Sequence, residues 1–152
     1  MTHTRTILAV LLAAVARACT QNGGHIGRLF GSWVLESATC DGSEMTMPED
    51  TETFWSFQSD LLRVQLADKH HTAENYFGNF TELPDGLLRL DFEHTDDNNP
   101  DGGGQYAAPQ WMGFPATGIF TLRIVSCDSK RMELIWQNKE GQLFVYKFSK
   151  TW

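Results

Sequence analysis

The chain has 152 residues, enough for one ordinary domain and too few for two. With 41% hydrophobic residues it can bury a core, which sets aside a disordered chain. Its 19 acidic side chains against 12 basic ones, a net charge of −7, repel phosphate backbones, so nucleic acid is not an expected partner.

Thr2-His3-Thr4-Arg5 makes a short cationic start, and Ile7 to Ala16 is an apolar run without a charge. A helix that crosses a bilayer needs about 20 apolar residues. The run is shorter, and residues 1–18 read as a signal peptide ending at small residues. Ala16-Arg17-Ala18-Cys19 resembles a bacterial lipoprotein signal, in which a small residue precedes a Cys that is lipidated and becomes the new N-terminus. Two positions depart from that pattern: Arg17, where a small or aliphatic residue is usual, and Ala16, where Leu is commoner. Ordinary secretion with cleavage near the same point is the alternative.

The resemblance implies an acyl chain such as palmitate on Cys19. It also implies an address in the bacterial cell envelope, as an outer-membrane lipoprotein facing periplasm or surface. Thr20-Gln21-Asn22-Gly23-Gly24 is polar and Gly-containing, as a tether over residues 19–30 should be. Residues 1–18 carry Arg5 and Arg17 and no acid, so the remainder holds 10 basic and 19 acidic side chains, a net of −9. Such a surface is not drawn to anionic lipid, which leaves membrane attachment to the acyl anchor.

Residues 31–152 read as a single all-β domain. The predicted strands are 31–40, 53–58, 61–68, 75–83, 87–94, 117–127, 131–138 and 142–150. Leu88, Leu90 and Phe92 share one face while Arg89, Asp91 and Glu93 take the other. Met132, Leu134 and Trp136 repeat the pattern, as do Phe144, Tyr146 and Phe148. Pro84-Asp85-Gly86, Asp128-Ser129-Lys130 and Lys139-Glu140-Gly141 have the residue types of hairpin turns. Eight alternating strands joined mostly by short turns predict an antiparallel up-and-down β-barrel. A β-sandwich of the same strands is the alternative, because periodicity does not report closure.

Gly31-Ser32-Trp33 stands at the opening of the first strand. A G-x-W there, ahead of an eight-stranded β sequence, resembles the lipocalin family, and with the export signal the chain resembles the lipocalin-like domains of small bacterial lipoproteins. The resemblance implies that Trp33 closes the narrow end of the barrel under a basic residue near the last strand, for which Lys147 and Lys150 are the candidates. Alternation places Trp33, Leu35, Leu88, Leu90, Phe92, Phe120, Leu122, Ile124, Met132, Leu134, Trp136, Phe144, Tyr146 and Phe148 inside. An eight-stranded barrel is just wide enough to be filled by side chains or to hold one small ligand.

The connection at 95–116 far exceeds the usual length of about five residues. Its first half is polar and Gly-rich, and its second half carries Tyr106, Trp111, Met112 and Phe114. An apolar group on a long loop is a lid over the barrel mouth, a contact patch, or a cover for exposed core. As a lid, these four side chains would touch a small apolar or amphipathic ligand. The rival reading is an interaction or structural module of the envelope with a filled core and no ligand.

Other constellations have plainer explanations. His70 and His71 point to opposite faces if on a strand, so only one could join Glu74 in a metal site, and a solvated hairpin tip is preferred. Asp97-x-Asn99-x-Asp101-Gly102 opens like a calcium loop, but Ala108 stands where the bidentate Glu belongs. No G-x-S-x-G or triad context appears, and Cys40 and Cys127 each precede an Asp that discourages a thiolate. Neither an enzyme nor a cofactor is expected, and the oligomeric state is open.

If Cys19 carries lipid, Cys40 and Cys127 remain as a candidate disulfide in an oxidising compartment. Against that pairing, the first and sixth strands of an up-and-down barrel end at opposite rims. Metabolic labelling with a fatty-acid analogue is expected to mark the wild-type protein and to miss Cys19→Ala; equal labelling of both would remove the anchor.

Overall fold

Alternating residues become strands throughout the computed structural model, which describes residues 27–70, 72–93 and 106–152. In chain order they are β1 (Gly31–Cys40), β2 (Ser43–Glu44), β3 (Thr51–Gln58), β4 (Leu61–Asp68), β5 (Ala73–Leu83), β6 (Leu87–Asp91), β7 (Ile119–Cys127), β8 (Arg131–Gln137) and β9 (Leu143–Lys150). β3 to β9 pair each with the next, and β1 pairs with both β3 and β9. The β1–β9 ladder runs from Trp33↔Lys150 to Cys40↔Phe144 and closes the sheet. The result is a closed eight-stranded antiparallel barrel, and that ladder decides against the sandwich. β2 lies outside the eight; it folds back on the end of β1 through Thr39↔Glu44 and Cys40↔Ser43.

The predicted strand borders move by only a few residues. β3 starts at Thr51 and β5 at Ala73, two residues early in each case, whereas β6 stops at Asp91. Short turns do what their residues allow. Asp85 and Gly86 both take positive φ (64° and 72°) after Pro84. The backbone N–H groups of Lys130 (2.7 Å) and Arg131 (2.8 Å) donate to the Asp128 carboxylate and hold its pKa below the usual value.

The interior is as alternation places it, with one phase change. Thirteen of the fourteen side chains assigned to the inside are buried, and Leu35 is half-buried. A bulge between Leu35 and Ser37 shifts the β1–β9 register, so the inward set continues at Ala38. A second bulge lies between Ile124 and Ser126 of β7. β3 and β4 add Trp55, Phe57, Leu62 and Val64 to the core.

One end of the barrel is sealed by a compact knot. Trp33 is fully buried and its indole N–H donates to the Leu29 carbonyl at 2.8 Å. The Lys150 ammonium sits 4.8 Å from the centre of the Trp33 ring and donates to the Phe30 carbonyl at 2.7 Å. Lys150, then, is the basic partner; Lys147 is exposed and faces Glu133 across the β8–β9 ladder. Gly31 is required here: its φ is +117°, and a Cβ would strike the Trp152 carbonyl oxygen. Two main-chain bonds, Ser32 N–H to Trp152 O (3.2 Å) and Thr151 N–H to Ser32 O (2.9 Å), tie the C-terminus to the same point.

The candidate Cys40–Cys127 disulfide is corrected by this topology, since both cysteines are free. Cys40 lies opposite Phe144 at one end of β9, whereas Cys127 connects through Met132 to Phe148, four residues further along it. That is about 13 Å along the wall, with three strands around it, whereas a disulfide needs Cα atoms within about 7 Å.

The knot should dominate stability. Trp33→Ala is expected to cost about 3–5 kcal/mol in urea unfolding, and Lys150→Met about 1 kcal/mol. A Trp33→Ala protein within about 1 kcal/mol of wild type would contradict this account of the closed end.

Candidate functional site at the open end of the barrel

Strand direction places the knot and the long connection at opposite ends. β6 runs away from the closed end to Asp91 and β7 returns from Ile119, so the chain leaves β6 and re-enters β7 at the open end. The last rung between them is Phe92 N–H to Gly118 O at 2.9 Å.

Within that connection, Ala108–Ala116 forms a closed unit. Ala108 N–H donates to Ala116 O (2.7 Å), and inside it Met112 N–H reaches Pro109 O (3.1 Å) and Gly113 N–H reaches Gln110 O (2.9 Å). Gln110–Met112 makes one 3₁₀ turn, ended by Gly113 at φ +91°. Glycine is needed because a Cβ there would run into the Phe144 ring. The unit can therefore descend onto the barrel interior.

Met112 and Phe114 enter the lumen and are buried. The Phe114 ring lies 4.7 Å from Trp136, 5.1 Å from Phe120, 5.8 Å from Tyr146 and 6.4 Å from Trp55, centre to centre. Tyr146 Oη donates to the Met112 carbonyl at 2.6 Å, and Trp55 Nε1 donates to the Met112 sulfur at 3.4 Å. Trp111 is half-buried against the same core, and its Nε1 is closed off from solvent without an acceptor. Tyr106 stands apart. Its ring packs 5.8 Å from Phe77, a residue paired with Arg63 on the outward face of β5. The four side chains expected to act together are thus split among the lumen, the rim and the outer wall.

Beside this plug lies an open cleft of about 670 Å³. Buried Phe120 and Trp136 contribute its apolar base, joined by Pro115 and Ile119; Thr117 and Asn138 supply polar edges, with Lys139 and Glu140 beyond. A volume of this order is typical of small-molecule sites. It is built from the plug's exit and the β8–β9 turn, segments about twenty residues apart in sequence, so no local motif marked it. Trp55 was also missed among the inward side chains, although the alternation of Thr53, Trp55 and Phe57 along β3 was a signal that could have found it.

Other candidate residues lie elsewhere. His70 is exposed in the β4–β5 turn, where Asp68 accepts its backbone N–H at 2.8 Å, and Glu74 accepts from Tyr76 Oη at 3.0 Å. His71, Asp97, Asn99, Asp101 and Cys19 lie outside the described residues. Among the described residues no group of three or more His, Cys, Asp or Glu is placed to hold a metal ion, and no helix is long and apolar enough to cross a membrane. Burial pushes the Cys127 thiol up, away from the reactive thiolate. Burial also raises the Tyr146 hydroxyl, helped by Cys40 nearby, so it remains a neutral donor.

Comparison with known proteins agrees with this architecture. A family model described as a lipocalin-like domain matches residues 10–148. The fold is similar to that of an uncharacterized Bacteroides eggerthii protein at 19% identity and a TM-score of 0.55, covering 80% of this chain and 98% of that one. A lipocalin-like protein from Bacteroides uniformis is similar at 19% identity and a TM-score of 0.50, with the same coverage of 80% and 98%. No match is found among curated proteins.

The Tyr146 environment sets an alkaline limit. An unfolded tyrosine loses its proton near pH 10, whereas the folded chain keeps it on Tyr146, so stability falls as pH rises past about 10. Ultraviolet titration should show the Tyr146 phenolate only as the protein unfolds. A phenolate at Tyr146 in the folded protein near pH 10, assigned by comparison with Tyr146→Phe, would contradict the buried hydrogen bond.

Proposed function

This chain belongs to the lipocalin-like family, and from that premise we propose that it binds a small apolar or amphipathic molecule at the open end of its barrel. The carrying observation is the cleft of about 670 Å³, whose aromatic base meets polar edges at Thr117 and Asn138. An apolar body would cover Phe120 and Trp136 while a polar group stayed at the rim. Binding rather than catalysis suits the site, because its titratable groups sit at the edge. The proposal includes export and a lipid on Cys19. The chain leads into the barrel at Gly27–Phe30, beside the knot. A tether joined there leaves the open end facing away from the membrane.

A second reading has its own support. Met112 and Phe114 fill space that a ligand would otherwise use. A filled barrel suits an envelope interaction module without cargo.

Titration with an apolar naphthylamine dye separates the two. Wild-type protein is expected to bind it with micromolar affinity, and Thr117→Trp, which fills the cleft from an exposed loop position, to bind at least tenfold more weakly at unchanged stability. Equal binding by both proteins would move the site away from the cleft. No binding by either would favour the module without a ligand.

A further inference from the structure

The plug is attached to the barrel in an unusual way. Its described backbone hydrogen bonds close within Ala108–Ala116, so the unit can leave the lumen with its own framework whole. Apolar contacts and two hydrogen bonds from the wall hold it, both received by Met112. One of the two is poor, because a thioether sulfur is a weak acceptor for the Trp55 indole. In the seated position Trp111 also hides an N–H with no acceptor, and an unmet buried donor is unfavourable. Withdrawal would return that donor to water.

These features deepen the ligand-binding reading and rest on it. We infer that the plug is an internal stand-in for the ligand: a neutral molecule with an apolar body and a hydrogen-bond acceptor displaces Met112 and Phe114 from the lumen and takes over the donors Tyr146 Oη and Trp55 Nε1. The apolar body replaces the Phe114 ring among Trp55, Phe120, Trp136 and Tyr146. The acceptor is needed because an indole N–H can only donate, and both donors lose Met112 when the plug leaves. The lumen-lining set named above carries no cation, so a carboxylate would be buried without a counter-charge and is excluded. Ketones, esters and ethers of medium chain length fit; their free-acid counterparts do not.

The test is NMR of protein labelled at its methionine and isoleucine methyl groups and its tryptophan indole N–H groups, titrated with methyl heptyl ketone, nonane and nonanoate. With the ketone, the Met112 signal should move to the position of an exposed methionine, while Met132, buried near the closed end, should stay. Nonanoate should leave both in place. Met112→Ala/Phe114→Ala, which removes the competing side chains, is expected to bind the ketone at least tenfold more tightly. Adding Tyr146→Phe to it should weaken the ketone about fivefold and leave nonane unchanged. A ketone that perturbs Trp136 and Ile119 but not Met112 would overturn the plug exchange and leave the rim cleft as the binding site. Silence at every one of these positions with every probe would overturn both readings. The wild-type titration decides the matter even if the double variant fails to fold.

Discussion

Everything else in this molecule depends on one ladder of hydrogen bonds, the pairing of β1 with β9. Without it the strands would form an open sheet with two unpaired edges and one wet face. With it, each wall strand has a partner on both sides, and the inward residues of opposite strands face each other across a narrow space. Closure also imposes its own irregularities. β1 pairs with β3 only from Gly31↔Phe57 to Val34↔Phe54, then bends at Leu35–Ser37 to follow β9. Above that bend Met45 and Met47 pack half-buried against the core, where pairing with β3 has stopped. Flexible methionines are suited to such an uneven opening.

The two ends of the barrel solve opposite problems with similar means. At the closed end Trp33, Lys150, Leu29 and the C-terminal main chain satisfy one another, leaving the indole and the ammonium both engaged. Within the lumen Tyr146 and Trp55 also present donors, but to a segment of loop that enters from the open end and not to a strand. A strand is held along its whole length by regular pairing; the Ala108–Ala116 unit is held by packing and two contacts. The closed end is therefore sealed by the wall itself, and the open end is filled by a segment that lies outside the strand pairing.

Much of the wall was legible in residue order. Period-2 alternation located the eight strands within a few residues and named thirteen interior side chains that are buried, because alternation is a local property of any half-buried strand. The closing role of Gly31 and Trp33, with Lys147 and Lys150 as candidate basic partners, was an implication of the family resemblance and not of alternation. Leu35 was harder, since a bulge changes which residues point inward and is set by the partner strand. β2 escaped notice because two residues are too few for a pattern. The even number of remaining cysteines pointed toward a bridge, yet strand direction kept Cys40 and Cys127 at opposite ends, and direction is the stronger constraint.

The sequence by itself determined the class of fold and the inward and outward faces of the strands, since these rest on neighbours two residues apart; the closing role of Gly31 and Trp33 was an implication of the family resemblance. Only the tertiary structure decided what fills the lumen. Met112 and Phe114 sit in a segment without periodicity, and nothing in their order tells a lid above the mouth from a plug within it. The cleft beside the plug is likewise a product of closure, which brings Pro115–Ile119 against Trp136–Glu140. Such meetings depend on the radius and register of the closed barrel, and neither is written in any one stretch of chain.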